Sequence, residues 1–473
     1  MSDGLEAVRA GLTGSRAWLV GGAVRDRALG RTGRLPDVDV VVDGDPAAAA
    51  RAVAQAAGRA ACFALSEEFG AWRVVARDHS WQVDVEPMRG TSLAADLALR
   101  DFTVNAIAEP VDGGEPIDPL GGLADAGARR LRMAGPAAFA DDPLRVLRLV
   151  RVSLELDLEA DAETLREARA HAAGLRDVAS ERVFAELRRI VATAGAVRGV
   201  EMMGELGAGA IVLPELEALR GVQQSRFHHL DVYGHTLEVL DRTVRLTGPA
   251  GLAAPELAPV IRSQDAAVAG LLAEPLADEM TRGEALRWGA LLHDAAKPLT
   301  REVRAEDGRV TFIGHDALGA ELARSVLERM HTSERLRSHV AALVRHHLRL
   351  GFLVHEPQPL SRRVLFTYLS ACSPVEADVT LLSVADRLAT RGDRASESID
   401  AHLRLAGGVL EDALSWRREG PPRPLLRGDE LASALGMETG PKVGALLREL
   451  AEAQYAGEVS TPEQALAYAR ELG

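Results

Sequence analysis

Along the first 135 residues, short Val-rich runs alternate with Gly and Asp turns and with Ala-rich stretches. The runs Trp18-Leu-Val, Val38–Val42, Trp72–Ala76 and Trp81–Val85 have the length and composition of strands, and the Ala-rich stretches between them have helical character. A mixed α/β head is predicted there. After about residue 136 the strand-like runs largely stop, and Leu, Ala, Arg and Glu recur at helical spacing to the end. Breaks fall near Pro214, across the Ala/Pro/Gly-rich stretch 248–282, and at Gly420-Pro-Pro-Arg-Pro424. The predicted fold class is therefore α+β: a small mixed α/β head over 1–135, an all-helical neck over 136–225, a helical domain over 226–405 and a helical tail over 406–473. The 248–282 stretch is long for a connection and is read as a surface insertion or as partly helical. No fixed-period repeat is visible.

Composition narrows this picture. The 473 residues suffice for two to four compact units. Hydrophobic residues at 47% and charged residues at 26% are ordinary globular values, while aromatics at 4% leave the core to Ala, Leu and Val. With 55 basic and 69 acidic side chains the formal charge is −14, so any nucleic acid must be met by a local Arg-rich surface rather than by the whole molecule. Cys62 and Cys372 offer neither a disulfide scaffold nor a CxxC metal site. The start, Met-Ser-Asp-Gly-Leu-Glu, lacks a basic segment followed by an apolar run, and no charge-free apolar stretch reaches the roughly 20 residues a bilayer needs. A soluble, cytoplasmic chain is expected.

The most informative chemistry lies in Leu19-Val-Gly-Gly-Ala-Val-Arg-Asp26 and, shortly after, Pro36-Asp-Val-Asp-Val-Val-Val42. Gly21 and Gly22 follow an apolar run and precede a predicted helix, where bare backbone N–H groups can approach a phosphate. On a strand, Asp37 and Asp39 project to one face while Val38, Val40 and Val42 face the core. Two adjacent carboxylates repel unless a cation lies between them, and magnesium with triphosphate oxygens is the natural occupant. Asp84 and Glu86, on a neighbouring alternating run, are candidates for supporting carboxylate work.

GGAVRD followed by DVD resembles the signature of the bacterial class II tRNA nucleotidyltransferase and poly(A) polymerase family. The resemblance continues in order through Leu99-Arg-Asp-Phe-Thr-Val-Asn-Ala-Ile-Ala108, Asp118-Pro-Leu-Gly-Gly122, Asp141-Asp-Pro-Leu-Arg-Val-Leu-Arg-Leu-Val-Arg151 and Ser180-Glu-Arg-Val-Phe-Ala-Glu-Leu187, covering about the first 190 residues. It implies that Asp37 and Asp39 hold two magnesium ions that activate an RNA 3′-hydroxyl and stabilise departing pyrophosphate. It places Gly22 and Arg25 at the triphosphate, and Arg100 with Asn105 at the ribose and phosphates. It implies that CTP and/or ATP and the tRNA 3′ end are the partners. Asp142 and Arg145, three apart on a predicted helix, can reach one ligand edge. The carboxylate accepts from an exocyclic amino group, which cytosine and adenine have and uracil lacks, while the guanidinium donates to ring acceptors. The resemblance gives these two residues base selection, and brings Arg148 and Arg151 to the nucleotide.

Three departures stand out. Asp141-Asp142 replaces the family's usual Glu-Asp, and Leu99-Arg-Asp replaces Arg-Arg-Asp. The span from Val85-Glu-Pro-Met-Arg-Gly90 to Leu93-Ala-Ala-Asp-Leu97 is shorter than the polar loop of many CCA-adding members, and resembles members that add only part of CCA.

A second constellation lies downstream: His235, the dyad His293-Asp294, His315, His346 and Asp386. The dyad sits in Leu291-Leu-His-Asp-Ala-Ala-Lys-Pro298, where two polar ligand types follow an apolar run. Imidazole with carboxylate suits Mn, Ni, Fe, Zn or Mg. The set resembles the HD phosphohydrolase superfamily, with Phe312-Ile-Gly-His-Asp316 and Val344-Arg-His-His347 matching its binuclear variety. Of His346 and His347 the first is taken as the ligand. The resemblance implies a divalent metal that activates water against RNA-end phosphates, with Lys297 nearby. The tail, Pro424 to Gly444, resembles the end of HD-containing members, and its Gly440-Pro441 is read as a phosphate nest or as helix caps. The competing functional readings are a poly(A) polymerase, an HD phosphohydrolase with a nucleotide-binding head, and a noncatalytic RNA-binding protein.

Overall fold

The computed structural model describes residues 3–31, 37–66, 70–224, 229–248, 251–261, 264–391 and 395–472. It forms two compact units, one of residues 1–190 and 199–212, the other of 191–198 and 213–473.

The first unit is built on a six-stranded sheet of β1 (Ala17–Val20), β2 (Asp37–Val42), β3 (Ala61–Ser66), β4 (Ala71–Val75), β5 (Gln82–Pro87) and β6 (Glu109–Pro110). The spatial order is β3-β4-β5-β2-β1-β6. Only β2 and β5 run parallel, with Asp39 opposite Asp84; the other neighbours pair antiparallel. One sheet face presents Leu19, Val38, Val40, Val42, Val83 and Val85 to the helices Asp3–Leu12 and Pro46–Ala56, which bury Leu5, Val8, Leu12, Ala50 and Val53 against it. Each such side chain contributes roughly 1.5–3 kcal/mol of burial. Val20 and Val41 point the other way, against Leu97, Ala106 and Ala108. The expected strands at 18, 38, 72 and 81 are all present; β3 and β6 were not foreseen.

The helices Arg145–Leu156 and Ser180–Ala192 follow, both strongly amphipathic. Asp142 and Arg145 do not share a helix as expected. One helix ends at Asp141, Asp142 is extended (φ −145°, ψ 97°) and the next helix begins at Arg145. Pro143 accounts for this, because its ring excludes the helical conformation from the residue before it.

In the second unit, the helices Val232–Thr247, Arg282–Leu292, Glu334–His346, Glu376–Ala389 and Ala395–Glu419 enclose a core that includes Val239, Leu286, Leu343, Leu382 and Leu410. Arg282–Leu292 is buried on every side, as a central helix must be. The 248–282 stretch is largely helical where described, and its Leu257, Val260, Ile261, Val268 and Leu271 join that core, so it is not a surface insertion. The boundary expected at 405/406 falls inside the continuous helix Ala395–Glu419, and the one at 225/226 lies outside the described residues. A separate small core of Leu431, Val443, Leu446, Leu450 and Ala465 begins only after the break at 420–424. Gly440 and Pro441 open the helix Pro441–Ala456, so they serve as a cap.

Candidate functional site: a carboxylate face and a histidine cluster

On the sheet face away from the helical layer, Asp37 and Asp39 of β2 stand beside Asp84 and Glu86 of β5. Asp39 is half-buried, and its pKa is raised to about 6, first by desolvation and then by Asp84, with Arg100 opposing and Glu86 and Asp37 adding to the rise. Such an arrangement of acids is relieved by a divalent cation, so the donor set fits one. Arg73 of β4 holds Asp84 with two bonds of 2.7 Å, a partner the sequence reading missed. Gly21 adopts φ +65°, and a Cβ there would lie 2.6 Å from Asp39 Oδ2, so this turn must be glycine on both conformational and steric grounds. Gly22 opens the helix Gly22–Ala28 that carries Arg25.

The basic residues of this unit are mutually braced. Arg25 Nη1 donates to Asn105 Oδ1 at 3.0 Å, and Asn105 Nδ2 donates to Asp101 Oδ1 at 2.9 Å. Asp101 also accepts from Arg148 Nη1 at 3.3 Å. Despite the opposing effect of burial, Arg148 and the Asn105 and Phe102 hydrogen bonds hold Asp101 below the usual carboxylate range. Arg100 lies 3.6 Å from Asp96. Arg151 Nε donates to Glu186 Oε2 at 2.5 Å, and Arg148 Nε to Glu186 Oε1 at 3.4 Å, so buried Glu186 anchors both. Arg145 donates to the carbonyls of Leu99 at 2.8 Å and Ala138 at 3.0 Å. Asp142 Oδ2 accepts from Arg182 Nη2 at 2.8 Å. The structure thus links Arg25, Asn105 and Arg148 in one network through Asp101, while Asp142 and Arg145 are each bonded elsewhere rather than to each other. Arg182, which is exposed, and Glu186, which is buried, lie in the Ser180–Leu187 motif; an acid among Val183, Phe184, Leu187 and Ile190 on the apolar face of that helix was the available signal.

The second unit brings His235, His293, Asp294, His315 and Asp386 together, all but Asp386 buried. Two sets of ligand atoms form around Asp294: His235 and His293 on one side, His315 and His347 on the other. His293 Nε2 and His235 Nε2 lie 3.1 Å and 3.7 Å from Asp294 Oδ2, and His235 Nε2 lies 3.0 Å from Asp386 Oδ1. His315 and His347 approach Asp294 Oδ1 at 3.4 Å and 3.9 Å. A carboxylate with imidazoles gathered at each oxygen is a donor set that fits divalent metal. The orientation of the rings supports this. His293, His315 and His347 each bond through Nδ1 to the carbonyl three residues back, at 2.8, 2.6 and 2.6 Å, which turns Nε2 inward as an acceptor. Among the described residues the Nε2 atoms of His293 and His315 make no hydrogen bond. Lys297 Nζ forms an ion pair with Asp294 Oδ2 at 2.7 Å and donates a hydrogen bond to Gln224 Oε1 at 2.7 Å. Against full burial, His293 and Lys297 hold Asp294 well below its usual range.

His346 is corrected here. It sits in the last turn of Glu334–His346, outside the cluster, and its Nδ1 accepts from Arg349 Nε at 2.8 Å. Its neighbour His347 is 1% exposed and occupies the position expected of His346. Replacing His347 by Ala is expected to lower bound divalent metal by at least about tenfold, while His346→Ala leaves it unchanged. Metal content after dialysis measures both.

A two-carboxylate sheet face beside a strand–Gly–Gly–helix turn defines a nucleotidyl-transfer head, and the histidine cluster defines an HD-type metal domain. Family models agree: the poly(A) polymerase head domain matches residues 17–132, the probable RNA- and SrmB-binding site of polymerase A matches 157–219, and the HD domain matches 232–391. The chain is 37% identical over 457 residues to an A-adding tRNA nucleotidyltransferase of Deinococcus radiodurans, covering 96% of this chain and 94% of that protein. It is 33% identical over 458 residues to a CC-adding tRNA nucleotidyltransferase of Thermus thermophilus, covering 96% and 92%. The fold matches the Bacillus stearothermophilus CCA-adding enzyme solved with CTP, at TM-score 0.64 and 22% identity over 99% of this chain and 96% of that one. The chain belongs to the tRNA nucleotidyltransferase and poly(A) polymerase family, and it is an enzyme of that kind. Divalent-metal dependence follows from its two domain types. No helix among the described residues is long and apolar enough to cross a membrane.

Proposed function

We propose that this enzyme adds AMP and/or CMP from ATP and/or CTP to the 3′ end of tRNA in the cytoplasm, completing only part of the CCA sequence. The observation that carries the reading is the Asp37/Asp39 pair on one strand face, with Asp39 against a glycine turn that has no room for a side chain. Magnesium held by Asp37 and Asp39 would supply the positive charge that lowers the pKa of the RNA 3′-hydroxyl and stabilises leaving pyrophosphate. The N–H groups at Gly21–Gly22, together with Arg25, meet the triphosphate. Asn105 and Arg100 orient ribose and phosphate, with Asn105 fixed by Asp101. Arg148 and Arg151 approach the nucleotide from the neck, each positioned by its ion pair with Glu186. In the four-part reading, 1–135 catalyses, 136–225 selects, the domain beginning at 226 holds the second metal centre and runs through the helix Ala395–Glu419, and the tail follows the break at 420–424.

Asp142 and Arg145 offer the base an acceptor and a donor once the nucleotide displaces the contacts that occupy them, those of Arg182 above all. Asp142→Ala is expected to let UTP compete with CTP and ATP, cutting discrimination by at least about tenfold. Arg182→Ala retains the discrimination but alters nucleotide KM. Partial addition is supported by the five-residue link between β5 and the helix Leu93–Ala98, and by full-length relatives named A-adding and CC-adding. Product length on tRNAs ending before C, at C, at CC and at CCA tests the whole reading. A defined stop of one or two nucleotides is expected, whereas long A tails would establish a poly(A) polymerase.

For the second centre we propose a metal-dependent phosphohydrolase acting on RNA-end phosphates, with His235, His293, Asp294, His315, His347 and Asp386 holding Mn, Ni, Fe, Zn or Mg. Support comes from the two ligand sets that share Asp294.

A further inference from the structure

The helix Glu376–Ala389 is buried along most of its length, yet one face is polar. Ser383, Asp386, Arg387 and Thr390 follow the spacing i, i+3, i+4, i+7 and so share that face. They line a cavity of about 210 Å³. His347 lines it too, so the cavity adjoins the histidine cluster, and Ser398 and His402 of the helix Ala395–Glu419 contribute further polar groups to its wall. Only Asp386 of the polar face has a role in the metal centre described above.

Arg387 is the notable member. Its Nη2 donates to Ser398 Oγ and its Nε makes no hydrogen bond. Among the described residues no carboxylate comes within ion-pair distance of it, although Arg391, four residues on, lies 3.8 Å from Glu238. Its half-buried guanidinium feels the charge of adjacent Asp386 but closes no ion pair, and its planar fork suits phosphate oxygens. His402, 4% exposed, places Nε2 3.1 Å from Ser383 Oγ and adds a neutral hydrogen-bonding wall. Among the described residues no Phe, Tyr or Trp lines the cavity.

We propose that this cavity binds the second phosphoryl group of a ligand whose first phosphoryl group lies at the histidine cluster, with Arg387 as the anion's cation. The inference rests on the phosphohydrolase reading of that cluster. Two sources share the chemistry. One is inorganic pyrophosphate, the product of nucleotidyl transfer; the other is an RNA end bearing a terminal phosphate, whose own 5′-phosphate supplies the second group.

The test uses the full chain loaded with Mn²⁺, in an Asp39→Asn background that weakens binding at the head. Calorimetry compares adenosine 3′,5′-bisphosphate, adenosine 3′-monophosphate and pyrophosphate. The bisphosphate is expected to bind at least about tenfold tighter than the monophosphate. Arg387→Gln removes that advantage without changing Mn²⁺ content or monophosphate affinity, and Arg387→Lys restores part of it. An Arg387-dependent gain for the bisphosphate alone assigns the RNA end, and for pyrophosphate alone assigns the inorganic product. A bisphosphate-to-monophosphate ratio unchanged in Arg387→Gln, with no effect on pyrophosphate, overturns the inference and leaves the phosphohydrolase reading intact. Absence of Mn²⁺ at the cluster in the parent protein removes that reading and the inference with it.

Discussion

Asp39→Asn is expected to abolish nucleotide incorporation while making the metal-free protein more stable. The loss of rate is set at about 10³-fold or more, some 4 kcal/mol of barrier, because the carboxylate would hold the cations on which both the attacking and the leaving oxygen depend. The gain in stability has a separate origin. The folded-state pKa of Asp39 is raised from 3.8 to about 6, so between those values the folded chain binds the proton more tightly than the unfolded one. Stability from this group is therefore present at low pH and falls as pH rises through that window, by up to about 3 kcal/mol. Asparagine carries no charge and escapes the penalty. Melting curves from pH 4 to 7 in EDTA check this: the parent loses stability across the window relative to Asp39→Asn, and magnesium reduces the difference. If the variant keeps full incorporation, the assignment of the head fails.

The second large effect concerns the histidine cluster. His293→Ala is expected to lower divalent-metal affinity by at least about 100-fold and to leave nucleotide addition to tRNA within a few-fold of the parent. In the parent, chelation lowers the melting temperature, because a metal present at 1,000 times its dissociation constant contributes about 4 kcal/mol. In His293→Ala, chelation has little left to remove. Asp294→Asn is expected to be harsher. It strips the acid partner from buried Lys297, and breaking a buried pair from one side costs about 3–5 kcal/mol. Elemental analysis with calorimetric melting separates loss of metal from loss of fold. Loss of nucleotide addition in a folded His293→Ala protein would show that the two centres do not act independently.

Much of the head was legible because strands alternate. Once Val38, Val40 and Val42 were read as core, Asp37 and Asp39 had to share the opposite face, and the structure places them beside Asp84 and Glu86. β3 escaped because Ala61–Ser66 has no Val or Ile, and Phe63 and Leu65 are exposed. β6 spans two residues and exists only through its pairing with β1. The error at Asp142 was avoidable, since Pro143 stands next to it and disfavours helix there. So was the choice of His346. On its helix the buried positions Leu336, Val340, Leu343 and Val344 continue in step to His347, and His346 is one residue out of phase. Arg73 and Asp84 face each other across the antiparallel β4–β5 pair, so a hairpin register would have found them, whereas Arg148 with Asp101 joins segments far apart in sequence and has no local pattern.

The three tethered imidazoles have a consequence for which elements the second centre tolerates. Each ring is pinned through its outer nitrogen to a carbonyl of its own chain, so the gap between the inward nitrogens is set by backbone rather than by side-chain freedom. Calcium prefers six to eight oxygens at 2.3–2.6 Å and would find a mouth that cannot widen and is rich in the wrong donor. First-row transition elements, borderline in softness and content with nitrogen, face no such mismatch. Excess calcium is therefore expected not to displace manganese or nickel from this centre, which competition calorimetry on the metal-free chain would check.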